Sequence, residues 1–245
     1  MKSTPKPFKL DKELNEVDEI LKDELQNTEI QSSFTTAENT IDIANAAVIC
    51  IKIIVESSSI MTEMAMAFRI IKKVIYDIFQ DNEECIDVAF MGRSFCGVFN
   101  APLRVNIDEV LETMGKLNAA ISVLDLKLNS QFGIKVKGVV CADFGTVIRY
   151  VDSESNEISW YGTPITNVVE LCNEKSEKET GVTVITFAVK SNLKEDYAKF
   201  FDNDEQSVID TPTYKAYLVN TEIFNWVKQH KLEQNGTKQD TEEGN

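Results

Sequence analysis

The sequence predicts an α+β domain, a mixed or antiparallel sheet with helices packed on it. Three observations carry this. Apolar, β-branched runs of strand length alternate with two long segments of helical period. Glycine-centred turns interrupt that alternation, so some neighbouring strands pair as hairpins instead of through helices. A chain of 245 residues that is 43% apolar, with 13 Phe, also has the material for one sizeable core.

The elements follow in order. Residues 1–9 are polar and hold two prolines. Leu10, Leu14, Val17, Ile20, Leu21 and Leu25 then recur at helical spacing, so 10–26 reads as an amphipathic helix, packed on its own domain or used for dimerisation. Residues 27–45 are rich in Ser, Thr and Asn and read as a connector, which makes 1–45 an N-terminal helix and linker. "AAVICIKIIV" (Ala46 to Val55) reads as a buried central strand. Ser58 to Gln80 reads as a helix, with Ser57 to Ser59 as N-cap candidates and Ile60, Met64, Phe68, Ile71, Ile75 and Ile78 on one face. "CIDVAFMG" and "SFCGVF" form two strands around a Gly92-Arg93 turn, and a second long helix covers about 107–129.

"GIKVKGVVCAD" and "GTVIRYVD" read as two further strands, joined by Ala142-Asp143-Phe144-Gly145. "ISWYG" is a short strand, and Gly162-Thr163-Pro164 opens a helix to about Cys172 with proline at an early position. "VTVITF" is a strand, "NLKEDYAKFF" a short helix, "TYKAYLVN" a strand and "TEIFNWVKQHKL" a closing helix. The main domain therefore spans 46–232, and the polar tail 233–245 is expected to be disordered. The order β, α, hairpin, α, hairpin, β, α, β is of ferredoxin-like type.

Charge and cysteine usage exclude several function classes. The net charge of −15 comes from 40 acidic against 25 basic residues, so no basic patch suits nucleic acid or an anionic membrane. There is no apolar run of 18 residues and the N-terminus is polar, so a cytoplasmic protein is expected. The five cysteines form no CxxC pair and His230 is the only histidine, which argues against a zinc site. Cys50, Cys96 and Cys141 lie in strand-like apolar runs and read as buried small hydrophobes. A Cys–His nucleophilic pair would have to reach His230, beside the polar tail.

Several segments resemble the class III nucleotidyl cyclase domain of adenylate and guanylate cyclases, over roughly 46–219. "ICIKIIVESS" is similar to that family's first strand and the small-residue turn after it. "VAFMGRSFCGVFNAP" resembles its hairpin, "FGIKVKGVVCADFGTVIRY" its Arg-Ile-Gly-Ile-His-x-Gly segment, and "ISWYGTPITNVVELCN" its Ile-Gly-x-x-Val-Asn-x-Ala-x-Arg-Leu stretch. The short build, the Ser-Ser after the first strand and the Trp-Tyr-Gly resemble most the bacterial Pycsar-type cyclases, stand-alone anti-phage enzymes that make cyclic pyrimidine nucleotides.

The resemblance implies a reaction and locates its parts. Cyclisation is an intramolecular phosphoryl transfer in which the 3′-hydroxyl attacks the α-phosphate and pyrophosphate leaves, and two metal ions neutralise the charge that builds up. The family holds those ions with two Asp; the matching positions here are Ile53 and Arg93. A hydrocarbon ligates no hard cation, and an arginine repels one. The ribose-orienting Asn falls on Thr166, with Asn167 adjacent; the transition-state cation falls on Glu170, and the base-contacting Lys on Ala89. No catalytic residue and no metal ligand are therefore expected. Arg93, Ser57, Ser58, Thr166 and Asn167 are candidate ligand contacts. Arg93 can engage phosphate oxygens without metal, or it is a solvent-facing turn residue or a partner of Glu56.

The resemblance thus implies a cyclase-like protein without catalytic machinery. It would bind a nucleotide or a protein partner, form a homodimer and act in bacterial anti-phage cyclic nucleotide signalling, with no cofactor. The alternative is an active cyclase making a cyclic (pyrimidine) mononucleotide, with Mg²⁺ or Mn²⁺ on a rearranged set drawn from Glu56, Asp87 and Asp143, each also readable as a solvated turn carboxylate. An unrelated α+β interaction module is the third reading.

Overall fold

The computed structural model describes residues 29–35, 40–56, 60–101, 103–151, 157–204, 209 and 211–218, with Glu19, Lys22, Asn225 and 227–229. Contacts divide the chain into two units, one of 45–147 with 162–245 and one of 1–44 with 148–161.

The larger unit is built on a sheet in the order β3-β4-β2-β5-β7-β9-β8. Its strands are β2 (Thr40–Glu56), β3 (Cys85–Met91), β4 (Ser94–Asn100), β5 (Lys135–Val151), β7 (Thr183–Thr186), β8 (Asp202–Asp204) and β9 (Thr213–Ala216). Its helices are α1 (Met61–Gln80), α2 (Arg104–Phe132), α3 (Thr163–Lys178) and the short α4 (Phe187–Lys190) and α5 (Glu195–Ala198). The β3–β4 hairpin is antiparallel and β4 is antiparallel to β2, with Ala46 opposite Asn100 and Lys52 opposite Ser94. β5 and β7 run parallel, so the sheet is mixed.

Side-chain alternation along β2 sorts the two faces. Ala47, Ile49, Ile51 and Ile53 join one core with Ala67, Ile71, Ile75 and Phe79 of α1 and with Ile107, Met114, Leu117 and Ile121 of α2. Lys52, on the opposite face, donates through Nζ to Asn173 Oδ1 of α3 at 2.8 Å. Helices therefore cover both faces. Gly138 lets α2 pack closely on one of them: a Cβ there would lie 2.8 Å from both the Lys52 carbonyl and Ile121 Cδ1.

Cys50, Cys96 and Cys141 are buried, one each on β2, β4 and β5, and Cys172 of α3 joins them by donating from Sγ to the Cys50 carbonyl at 3.1 Å. Burial, then the neighbouring Cys141, pushes the Cys172 thiol well above its usual range. A side-chain hydrogen bond between the two thiols does the same for Cys50. The Cys50 and Cys172 thiols therefore stay neutral, and all four cysteines serve as packing.

Three expectations need correction. "GIKVKGVVCADFGTVIRYVD" is not a hairpin joined at 142–145 but the single strand β5 of 17 residues. Asp143 does not turn the chain because its carboxylate is occupied across the sheet. The second long helix runs to Phe132, not Asn129; Gly133, at φ 66, ends it by donating to the Asn129 carbonyl at 2.9 Å. α1 begins after Ile60, which makes no side-chain cap; Ser57 to Ser59 lie outside the described residues.

In the smaller unit, β1 (Glu29–Gln31) pairs parallel with the start of β2, and β6 (Ile158–Tyr161) pairs antiparallel with the end of β5. Residues 27–45 are therefore not a simple connector. Asp42, almost fully buried, accepts from Arg149 Nη1 at 2.9 Å, from the Thr35 N–H at 3.0 Å and from Thr35 Oγ1 at 3.2 Å. Phe34 meets Trp160 edge-on at 5.6 Å. The helix expected over 10–26 lies outside the described residues apart from Glu19 and Lys22, which are helical; the tail 233–245 lies outside them entirely. Among the described residues no helix is long and apolar enough to cross a membrane.

Candidate functional site

The two positions that matter most meet at the end of the β2–β4 ladder. The Ile53 N–H donates to the Arg93 carbonyl at 2.9 Å, one step beyond the Lys52–Ser94 pair. Gly92, at φ 65, supplies the left-handed residue of the two-residue turn and leaves Arg93 exposed. The Ile53 side chain turns the other way. It is 0% exposed and packs in the core with α1 and α2. Neither position presents a carboxylate.

The face opposite Ile53 holds a cation that the sequence reading passed over. Lys52 stands there opposite Ser94, which is buried, and its ammonium is held by Asn173 of α3. The signal was present, since Lys52 is the single charge inside "AAVICIKIIV". A lone lysine in an otherwise apolar strand marks the residue whose tip reaches a polar partner. Whichever of residues 52 and 53 is set against a metal ligand, the residue is a cation or a hydrocarbon.

Asp143 and Asn167 are brought together, but for structure. Asp143 is 4% exposed. Its Oδ1 accepts the Phe144 N–H at 2.8 Å and the Thr186 hydroxyl, and its Oδ2 accepts from Asn167 Nδ2 at 2.7 Å. One carboxylate thus ties β5, β7 and α3 together, and both oxygens are already in use. Thr166 and Glu170 sit on the exposed side of α3. The helix is aimed by Gly162, at φ 139, where a Cβ would lie 2.8 Å from the Thr146 carbonyl.

The other acidic candidates are also engaged. Glu56 accepts from Lys137 Nζ at 2.8 Å, so it is not the partner of Arg93. The Lys137 ammonium holds the Glu56 carboxyl below the usual carboxylate range and is itself raised by it. Asp87 Oδ1 accepts the Val88 N–H at 2.8 Å. Ala89 is an exposed residue of β3 opposite Cys96. Ser57, Ser58 and His230 lie outside the described residues. Among the described residues, no three His, Cys, Asp or Glu converge so that they could hold a metal ion.

No protein-family model and no curated protein matches the sequence. Solved structures match it in fold. The guanylyl cyclase Cya2 superposes with a TM-score of 0.60 at 10% identity, over 74% of this chain and 95% of that one. The adenylyl cyclase CyaB from P. aeruginosa gives 0.57 at 12% identity, over 74% and 96%. The guanylate cyclase domain of RhGC from Catenaria anguillulae, solved in complex with GTP, gives 0.55 at 14% identity, over 72% and 97%. The fold is therefore that of the class III nucleotidyl cyclase domain. At such low identity the likeness establishes the fold and leaves the chemistry to the residues themselves.

Proposed function

We propose that this protein uses the cyclase fold to bind a phosphorylated nucleotide without cyclising it. One observation carries the reading: at the paired ends of β2 and β4, the side chains at 53 and 93 are a fully buried isoleucine and an exposed arginine. Two-metal catalysis needs hard oxygen ligands at such a site, and a guanidinium repels the metal that they would hold. Arg93 and Lys52 instead supply fixed positive charge, which phosphate oxygens accept directly. Glu170 in place of a transition-state cation opposes turnover, and because a carboxylate repels phosphate oxygens it also keeps the affinity modest. The reading extends to a homodimer, as in many cyclase folds, and to a cytoplasmic role in bacterial cyclic nucleotide signalling against phage.

The test is calorimetric titration with the four ribonucleoside triphosphates, each with Mn²⁺ and with EDTA. The expected result is modest affinity for at least one of them, unchanged by EDTA and weakened by salt. Arg93→Ala should weaken that binding roughly tenfold or more, the scale of a hydrogen bond to a charged group. An absolute requirement for metal, or an Arg93→Ala protein that binds as well as the parent, would contradict the role given to Arg93.

A further inference from the structure

Two cavities adjoin along the first half of α2, and no residue of the proposed nucleotide site lines either one. The first, of about 260 Å³, is largely apolar, with Leu111, Tyr197, Phe200 and Leu218 in its wall. The second, of about 360 Å³, is walled by Asp81, Glu83, Glu84 and Glu109. Glu112 and Lys116 line both, so the two cavities adjoin at these side chains as the apolar and acidic ends of one groove.

Its charge is lopsided. Among the described residues Lys116 is the only cation in the lining, and Asp81 already holds it at 2.5 Å. Glu84 accepts from Asn106 Nδ2 at 3.0 Å and Glu112 from the Tyr197 hydroxyl at 3.3 Å, neutral donors that bring no positive charge to the groove. The negative field is felt at Tyr197, whose phenol the Glu112 carboxylate pushes up. At the apolar end Phe200 is 57% exposed, which is unusual for a large ring beside a cavity. Lys199 lies over that ring at 5.8 Å but is paired with Asp196 at 2.7 Å.

We propose that this groove docks a cationic, aromatic-bearing peptide segment of a partner protein. An aromatic or large aliphatic side chain would sit against Tyr197 and Phe200, and arginine or lysine a residue or two away would lie among Glu83, Glu84 and Glu109. Apolar contact gives the anchor and the carboxylates give orientation and rate of encounter. The inference stands independently of the nucleotide reading.

The test is fluorescence anisotropy of the full chain with a labelled decapeptide that carries two arginines beside one phenylalanine. Saturable binding is expected, weakened by salt. Glu109→Lys and Phe200→Ser should each weaken it about tenfold, with thermal melts unchanged because both residues are exposed. A peptide with its phenylalanine changed to serine should lose affinity, and one with its arginines changed to glutamates should not bind. No saturable binding, equal binding of either control peptide, or indifference to both protein variants would overturn the proposal.

Discussion

Ile53→Asp is expected to destabilise the fold by about 5 kcal/mol, a third or more of the total stability of an ordinary domain. Ile53 is fully buried among Ile49, Ile51 and the α1 and α2 residues, with Gly138 beside it on the neighbouring strand. The change removes most of that packing and places a carboxyl where no donor awaits it. The sign with pH follows. Burial would raise the introduced carboxyl above its unfolded value of about 3.9, so the folded state would bind the extra proton. The variant would be closest to the parent below that value and would fall further behind as pH rises to neutrality. Ile53→Val should cost only about 1 kcal/mol. Urea denaturation across pH checks both. An Ile53→Asp protein that unfolds within about 1 kcal/mol of the parent at neutral pH would place this side chain outside the core and reopen it as a metal position.

Asp143→Ala is expected to cost about 3 kcal/mol or more. The carboxylate accepts from Thr186, Asn167 and the Phe144 N–H, and its removal leaves one buried and two part-buried donors, on three elements, without that acceptor. Thr186→Val removes a single donor with little change of shape and should cost about 1–2 kcal/mol. In a double-mutant cycle the two losses should fall well short of additive, because they share one network. Unfolding midpoints with unchanged m-values would support this account; additive effects would break it. A large stability loss also separates Asp143 from a metal ligand, whose replacement in a metal-free protein relieves charge repulsion.

Much of the fold was legible because its signals are local. The run from Ala46 to Val55, the period of α1 and the Gly92-Arg93 hairpin are each readable within one element. What the sequence hid depends on distant partners. Ala142-Asp143-Phe144-Gly145 has turn composition, yet it continues a strand because Thr186 and Asn167 satisfy the carboxylate from 43 and 24 residues away. Residues 27–45 have linker composition, yet part of them becomes strand because Arg149 neutralises Asp42 across 107 residues. At the site, the resemblance could match residues 53 and 93 to the family's two metal positions, but only the alternation of faces along β2 shows that the side chain at 53 enters the core. Apolar residues occupy both faces of a buried strand, so the pattern alone could not distinguish the role of Ile53 from that of Lys52.

The most direct test of the central claim is product analysis of the purified full chain incubated with ATP, GTP, CTP and UTP in Mg²⁺ or Mn²⁺. The account predicts no cyclic nucleotide from any of the four. It also predicts none from Arg93→Asp, because Ile53 remains apolar and Glu170 still opposes the developing charge. Reproducible formation of a cyclic mononucleotide by the parent, abolished by Glu56→Gln, would contradict it and return the chain to the active cyclases with a rearranged metal site.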